Sequence, residues 1–194
     1  FVKSKRLSTI DELLEAEIIS VHTPITFDTK YPTYSMINES FFNKSKCHSI
    51  INTSRGGIVS ESSVIDRKLN YIADVWEDEP SANNDLVSYC YIATPHIAGH
   101  SFEGKVNGTI DILKALMSFL NFDESTVNKN LKIIEDFYPP QKNYYGDLKD
   151  FNDNYDISQE SKNFKDLFKK FPQNNFNKLR GCHAKRHDLS VYNI

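Results

Sequence analysis

Tyr91-Ile92-Ala93-Thr94-Pro95-His96-Ile97-Ala98-Gly99-His100-Ser101-Phe102-Glu103-Gly104-Lys105 decides how this chain folds. A short apolar strand runs into a loop that carries His96, and a long helix follows. In that helix, expected over residues 101–120, Val106, Ile110, Leu113, Met117 and Leu120 recur at steps of three and four and so share one face. A strand exit that leads into a helix is where an open α/β sheet gathers its chemistry. Histidine is the side chain whose ordinary pKa lets it give and take protons near neutral pH.

Working back from this stretch, strands and helices alternate from about residue 7 to residue 120. Ser8 or Thr9 is placed to cap a helix through Asp11-Glu12-Leu13-Leu14-Glu15-Ala16, with acidic residues in its first turn. Ile18-Ile19-Ser20-Val21 reads as a strand, Asn38 as the cap of a short helix, and Ser49-Ile50-Ile51-Asn52 as a second strand. Ser60 caps a helix that runs to Leu69, and Asn70 serves as its stop and turn. Tyr71-Ile72-Ala73-Asp74-Val75 is the third strand and residues 89–93 the fourth. These strands are short and apolar on both faces, as a parallel sheet covered on both sides requires.

Beyond Asn121 the composition turns to Asn, Asp, Lys, Tyr and Phe, which sets an expected boundary between residues 1–121 and 122–194. Leu131-Lys132-Ile133-Ile134 and a helix around Phe164 to Phe171, ended by Pro172, are the ordered pieces expected there. Disorder competes for the polar run from Tyr144 to Glu160.

The 194 residues carry a formal charge of −3, which gives no electrostatic case for nucleic acid or a membrane surface. No apolar run is long enough to span a membrane. Three cysteines at wide spacing, Cys47, Cys90 and Cys182, read as free thiols of a reducing cytoplasm. The chain opens without methionine and its first glycine is Gly56, so the expectation is a fragment of a longer protein.

Polar residues gather at the four strand exits: His22-Thr23-Pro24, Asn52-Thr53-Ser54-Arg55-Gly56-Gly57, Asp74 with Glu77-Asp78-Glu79-Pro80, and His96. Arg55 can grip a carboxylate with two bonds while the glycines after it let the backbone pack closely. A carboxylate such as Glu79 beside His96 would favour the imidazolium and fix the ring tautomer. Together they suit a 2-hydroxy or 2-oxo acid, with the hydride passing to a cofactor. Taken singly, an arginine or glutamate in such a loop is more often a solvated charge. Cys182, His183 and His187 lack the further ligand pair a zinc site needs, and no GxSxG frames Ser54.

These stretches resemble the D-isomer-specific 2-hydroxyacid dehydrogenase family. The likeness runs through His22-Thr23-Pro24, Ile51-Asn52-Thr53-Ser54-Arg55-Gly56, Asp74-Val75-Trp76-Glu77-Asp78-Glu79-Pro80 and Thr94-Pro95-His96-Ile97-Ala98-Gly99. A narrower likeness is carried by Tyr31-Pro32-Thr33-Tyr34-Ser35-Met36-Ile37-Asn38, by residues 97–105, by Tyr155-Asp156-Ile157 and by Phe176-Asn177-Lys178-Leu179-Arg180. It points to the branch that oxidises 4-phospho-D-erythronate with NAD in pyridoxine synthesis. The resemblance implies an α/β fold, part of a Rossmann-type doubly wound parallel sheet followed by a small α+β dimerisation domain. It implies active-site roles for Arg55 and Glu79, a proton-donor role for His96, and NAD contacts from Thr23, Thr53, Ser54, Arg55, Asp74 and Gly99. His100 stands where that branch has a substrate-contacting tyrosine. The implied partners are a phosphorylated hydroxy acid and a second copy of the chain.

Two departures bear on this. No GxGxxG turn occurs in the chain, so these residues alone are expected to hold NAD weakly. The link before Tyr71 is short, which predicts a shortened or shifted strand ahead of Asp74. Another dehydrogenase of the same family, and a non-catalytic chain that only dimerises, are the rival readings.

Overall fold

The structure, a computed structural model, describes residues 9–137, 155–170, 172–183 and 186–188. The chain forms two compact units, one of Phe1–Ile97 with Ile157–His183 and one of Ala98–Asp156 with Ala184–Ile194.

The first unit is built on four parallel strands in the order β1-β2-β3-β4: Ile18–Val21, Ser49–Asn52, Asn70–Ala73 and Ile92–Ala93. The helices between them are α1 (Ile10–Leu13, before β1), α2 (Glu39–Phe42), α3 (Glu61–Asp66) and α4 (Asn84–Tyr89). Each starts on a side chain that satisfies a free backbone N–H: Thr9, Asn38, Ser60 and Asn83 respectively. Strands taken in sequence order with right-handed crossovers keep their helices on one side. The burial pattern agrees. Ile19, Val21, Ile50, Asn52, Tyr71, Ala73 and Ala93 are buried, while their neighbours on the other face are half-buried or exposed, Ile18 at 60 %. The two-sided cover expected from the apolar strands is therefore not present among the described residues.

Two later helices complete this unit, α7 (Ile157–Lys170) and α8 (Pro172–Cys182). In α7, Ser161, Phe164 and Phe168 form the buried face. Phe164, Phe168 and Phe176 pack on one another with ring centroids 5.3 to 6.5 Å apart, and Phe164 lies 5.9 Å from Trp76. Ser161 Oγ accepts the Ala93 N–H at 2.9 Å, which satisfies the edge strand from its open side. This use of residues 157–183 makes the first compact unit discontinuous in sequence.

The second unit holds α5 (Phe102–Phe119) and α6 (Glu124–Phe137). Ser101 caps α5 by accepting from the Gly104 N–H at 2.9 Å; of the expected apolar face Val106, Ile110 and Leu113 are half-buried and Met117 buried, while Leu120, the C-cap, is exposed. At residue 121 the chain turns: Asn121 has φ +56°, and Asp123 accepts from Ser125 and Thr126 to start α6. The composition change there marks a helix–helix turn inside the second unit. Leu131 to Ile134 is part of α6. Among the described residues beyond 121 every regular element is a helix, so the β part of the expected α+β domain is not found there. Of the run proposed as disordered, 144–154 lie outside the described residues, while 157–160 open α7.

The link before β3 also differs from expectation. Lys68, at φ +55°, makes the turn after α3, and Asn70 is the first residue of β3, paired with Ser49. β3 keeps the four-residue length of β1 and β2, so Asp74 stands in regular register.

Candidate active site

The second strand exit is organised by Asn52. Its side chain is fully buried; Nδ2 donates to the Arg55 carbonyl at 3.0 Å and to Tyr71 Oη at 3.3 Å, while Oδ1 accepts from the Ser54 N–H and Oγ. A buried asparagine at the end of an apolar strand must have its polar atoms paired, and here they fold the next three residues into a fixed loop. Gly56 lets that loop meet the third exit, since a Cβ on it would lie 1.9 Å from the Trp76 carbonyl oxygen. Arg55 is left exposed, with its guanidinium donating to the Ser54 carbonyl at 2.6 Å.

At the third and fourth exits, His96 Nδ1 lies 2.8 Å from Glu79 Oε2, both side chains about a quarter exposed. The other oxygen, Glu79 Oε1, accepts the Trp76 N–H at 3.0 Å. Trp76 is itself fixed, buried and donating from Nε1 to the Thr94 carbonyl at 3.0 Å. Asp74 is buried below this pair, accepting from Thr94 Oγ1 at 2.5 Å and from the Ile97 N–H at 2.7 Å. The expected Glu79–His96 pair is thus in place. Arg55 shares the carboxyl end of the sheet, but among the described residues its bond is to its own loop and not to the pair.

A carboxylate accepts only, so the Glu79 contact places the ring proton on Nδ1 and leaves Nε2 as the acceptor. Burial raises the Glu61 carboxyl above its ordinary range, against the lowering effect of the Glu77 N–H it accepts. Burial likewise pushes the Cys90 thiol up to about 12, and Cys90 is a free thiol as the sequence reading has it.

The first exit bears on cofactor binding. Thr23 Oγ1 is buried and has no hydrogen-bond partner among the described residues, so it has a bond to give to a polar ligand. Thr53 is half-buried and Ser54 buried beside it in sequence. Among the described residues, the unpartnered Thr23 hydroxyl is the feature here that suits a polar ligand. Gly99 and His100 belong to the second unit, Gly99 exposed with nothing within 4 Å of a Cβ placed on it, and His100 half-buried just ahead of the α5 cap.

Asn52 and Trp76 position the loops, and neither has a role assigned from sequence. The signal for Asn52 was a polar residue closing an apolar strand. For Trp76 it was the single tryptophan of the chain, three residues before Glu79.

Comparison with known proteins places this geometry. Residues 2–98 match the family model of the D-isomer specific 2-hydroxyacid dehydrogenase NAD binding domain. The chain is similar to the erythronate-4-phosphate dehydrogenase of Wigglesworthia glossinidia brevipalpis, 35 % identical over 95 % of this chain and 52 % of that protein. It is also similar to that of Ruthia magnifica subsp. Calyptogena magnifica, 34 % identical over 92 % and 50 %. The chain therefore spans about half the length of these curated relatives. Among solved structures, a glyoxylate reductase from Paecilomyes thermophila superposes with a TM-score of 0.52 at 24 % identity, over 59 % of this chain and 36 % of that one, a likeness of fold. With half its length matched by the family model, and with the paired histidine and glutamate at adjacent strand exits, the chain belongs to the D-isomer specific 2-hydroxyacid dehydrogenases through their NAD-binding domain.

Proposed function

We propose that this chain carries the proton-transfer part of an erythronate-4-phosphate dehydrogenase, which oxidises 4-phospho-D-erythronate to (R)-3-hydroxy-2-oxo-4-phosphooxybutanoate on the route to pyridoxine 5'-phosphate. The observation that carries this is the His96–Glu79 pair, 2.8 Å apart in a chain of this family. His96 Nε2 takes the proton of the C2 hydroxyl. Glu79 holds the ring and stabilises the imidazolium that forms. Arg55, released from the Ser54 carbonyl, grips the substrate carboxylate with its fork. Bound NAD supplies the hydride acceptor, a role no side chain can fill. Thr23, Thr53, Ser54, Arg55 and Asp74, all of the first unit, would hold it.

The similarity to two erythronate-4-phosphate dehydrogenases over more than nine-tenths of this chain supports this substrate over another hydroxy acid. α5 leaves Ile112, Leu116 and Phe119 exposed, Phe119 at 82 %, an apolar stripe that a second copy would cover. A homodimer through residues 122–194 is the proposed assembly, and its contacts would extend onto this stripe of α5. Among the described residues no helix is long and apolar enough to cross a membrane. The free thiols suit the reducing cytoplasm.

The test is NADH formation by the full-length gene product with 4-phospho-D-erythronate, D-lactate and D-glycerate. The phosphorylated acid should be preferred. His96→Ala should lower kcat by about 10²–10⁴-fold, the usual worth of a general base, with NAD affinity kept within about threefold. An unchanged kcat, or preference for an unphosphorylated acid, refutes the assignment.

A further inference from the structure

His96 is one of four non-glycine residues in the described chain with positive φ, at +57°. That left-handed conformation is unfavourable for a side chain with a Cβ and persists only where surroundings hold it. The peptide group that follows it is held at both ends. Its N–H, on Ile97, donates to Asp74 Oδ1 at 2.7 Å. Its carbonyl oxygen, on His96, accepts from Arg180 Nε at 3.1 Å, across 84 residues of sequence. A guanidinium at the oxygen and a carboxylate at the N–H both align with the peptide dipole. They fix the orientation of this peptide plane, which sets ψ of His96 and φ of Ile97 directly, and with the plane held φ of His96 cannot change without breaking one of the two bonds.

Arg180 is in turn placed by the fold. It lies one helical turn after Phe176, which is 1 % exposed in the Phe164–Phe168–Phe176 cluster. Trp76, whose N–H holds Glu79, packs on Phe164 of the same cluster. Both members of the acid–base pair are thus referred to one aromatic cluster built by α7 and α8.

We propose that Arg180 is a positioning residue for His96. It clamps the 96–97 peptide so that the imidazole stays left-handed at its backbone and aimed at Glu79. This rests on the function proposed above. Without the clamp the peptide can rotate, His96 can relax to negative φ, and Nδ1 leaves Glu79.

The test compares Arg180→Met and Arg180→Lys with wild type in the full-length enzyme, with amide exchange at Ile97 read by NMR. Arg180→Met should lower kcat about tenfold or more, as a misplaced reacting group does, with both KM values within about threefold. Ile97 exchange should rise about tenfold with little change in Tm, and Arg180→Lys, which retains a donor, should restore at least about a third of kcat. Wild-type kcat and Ile97 protection in Arg180→Met overturn the proposal. So does a kcat loss that Arg180→Lys shares in full and that follows a fall in Tm. If Arg180→Met does not fold, Arg180→Gln gives the same readouts. An inactive wild type refutes the function instead, and Ile97 exchange then decides the clamp alone.

Discussion

At the scale of single residues, backbone approach matters more than side-chain identity. Gly56 faces the Trp76 carbonyl so closely that Gly56→Ala must push two loops apart, at a cost of at least about 1–3 kcal/mol. Gly108, in the interior of α5, has nothing within 4 Å of an added Cβ, so Gly108→Ala should instead stabilise by about 0.5–1 kcal/mol. Urea unfolding of the two variants checks both signs. The pairing of His96 with Glu79 was legible in the sequence because few side-chain types suit an acid–base pair and both stand at strand exits. The roles of Asn52 and Arg180 were not, because an amide or guanidinium that orders a loop looks like any other polar residue until its partners are known.

At the scale of elements, caps and apolar runs read well. Asn38, Ser60 and Ser101 begin helices where the sequence places them, and β1 and β2 span the expected residues. The fourth strand was overextended. Tyr89 ends α4, which Asn83 caps by accepting from the N–H groups of Asp85 and Leu86, Cys90 is its C-cap, and β4 begins only at Ile92. Tyr89 to Ala93 is apolar throughout, and only the packing of α4, with Leu86 and Val87 in the core, sets where the helix ends and the strand begins. The edge of β4 carries its own prediction. Ser161→Ala removes the partner of the buried Ala93 N–H and should cost about 1–3 kcal/mol, the penalty for an unpaired buried donor. An unchanged urea midpoint would mean that the edge is not sealed by α7.

At the scale of the molecule, chain order and spatial order part company. In the second unit the chain returns from far along the sequence: the Phe102 N–H donates to the Arg186 carbonyl, and Glu103 accepts from the Asp188 N–H and contacts His187 Nδ1, both at 2.7 Å. Partial burial works to raise the Glu103 carboxyl, but the bonds from His187 and Asp188 outweigh it and hold the group below its ordinary range. A depressed carboxylate stabilises the docked tail above its unfolded pKa and loses that contribution as pH falls through the folded value. The Asp188 amide shift should therefore titrate with a midpoint below about 4.3, the ordinary glutamate value. Glu103→Gln should abolish that titration, and a midpoint above 4.3 in the wild type would contradict the assignment.

Sequence alone determined the strand–helix alternation, the four strand exits and the residues able to transfer a proton there. Those features depend on local pattern and on chemistry that few side chains can perform. Tertiary structure decided that residues 157–183 return to seal β4 and carry Arg180 to His96. The physical reason is that burial of an aromatic cluster and pairing of an edge N–H are conditions on surfaces, which residues far apart in the chain can meet equally well.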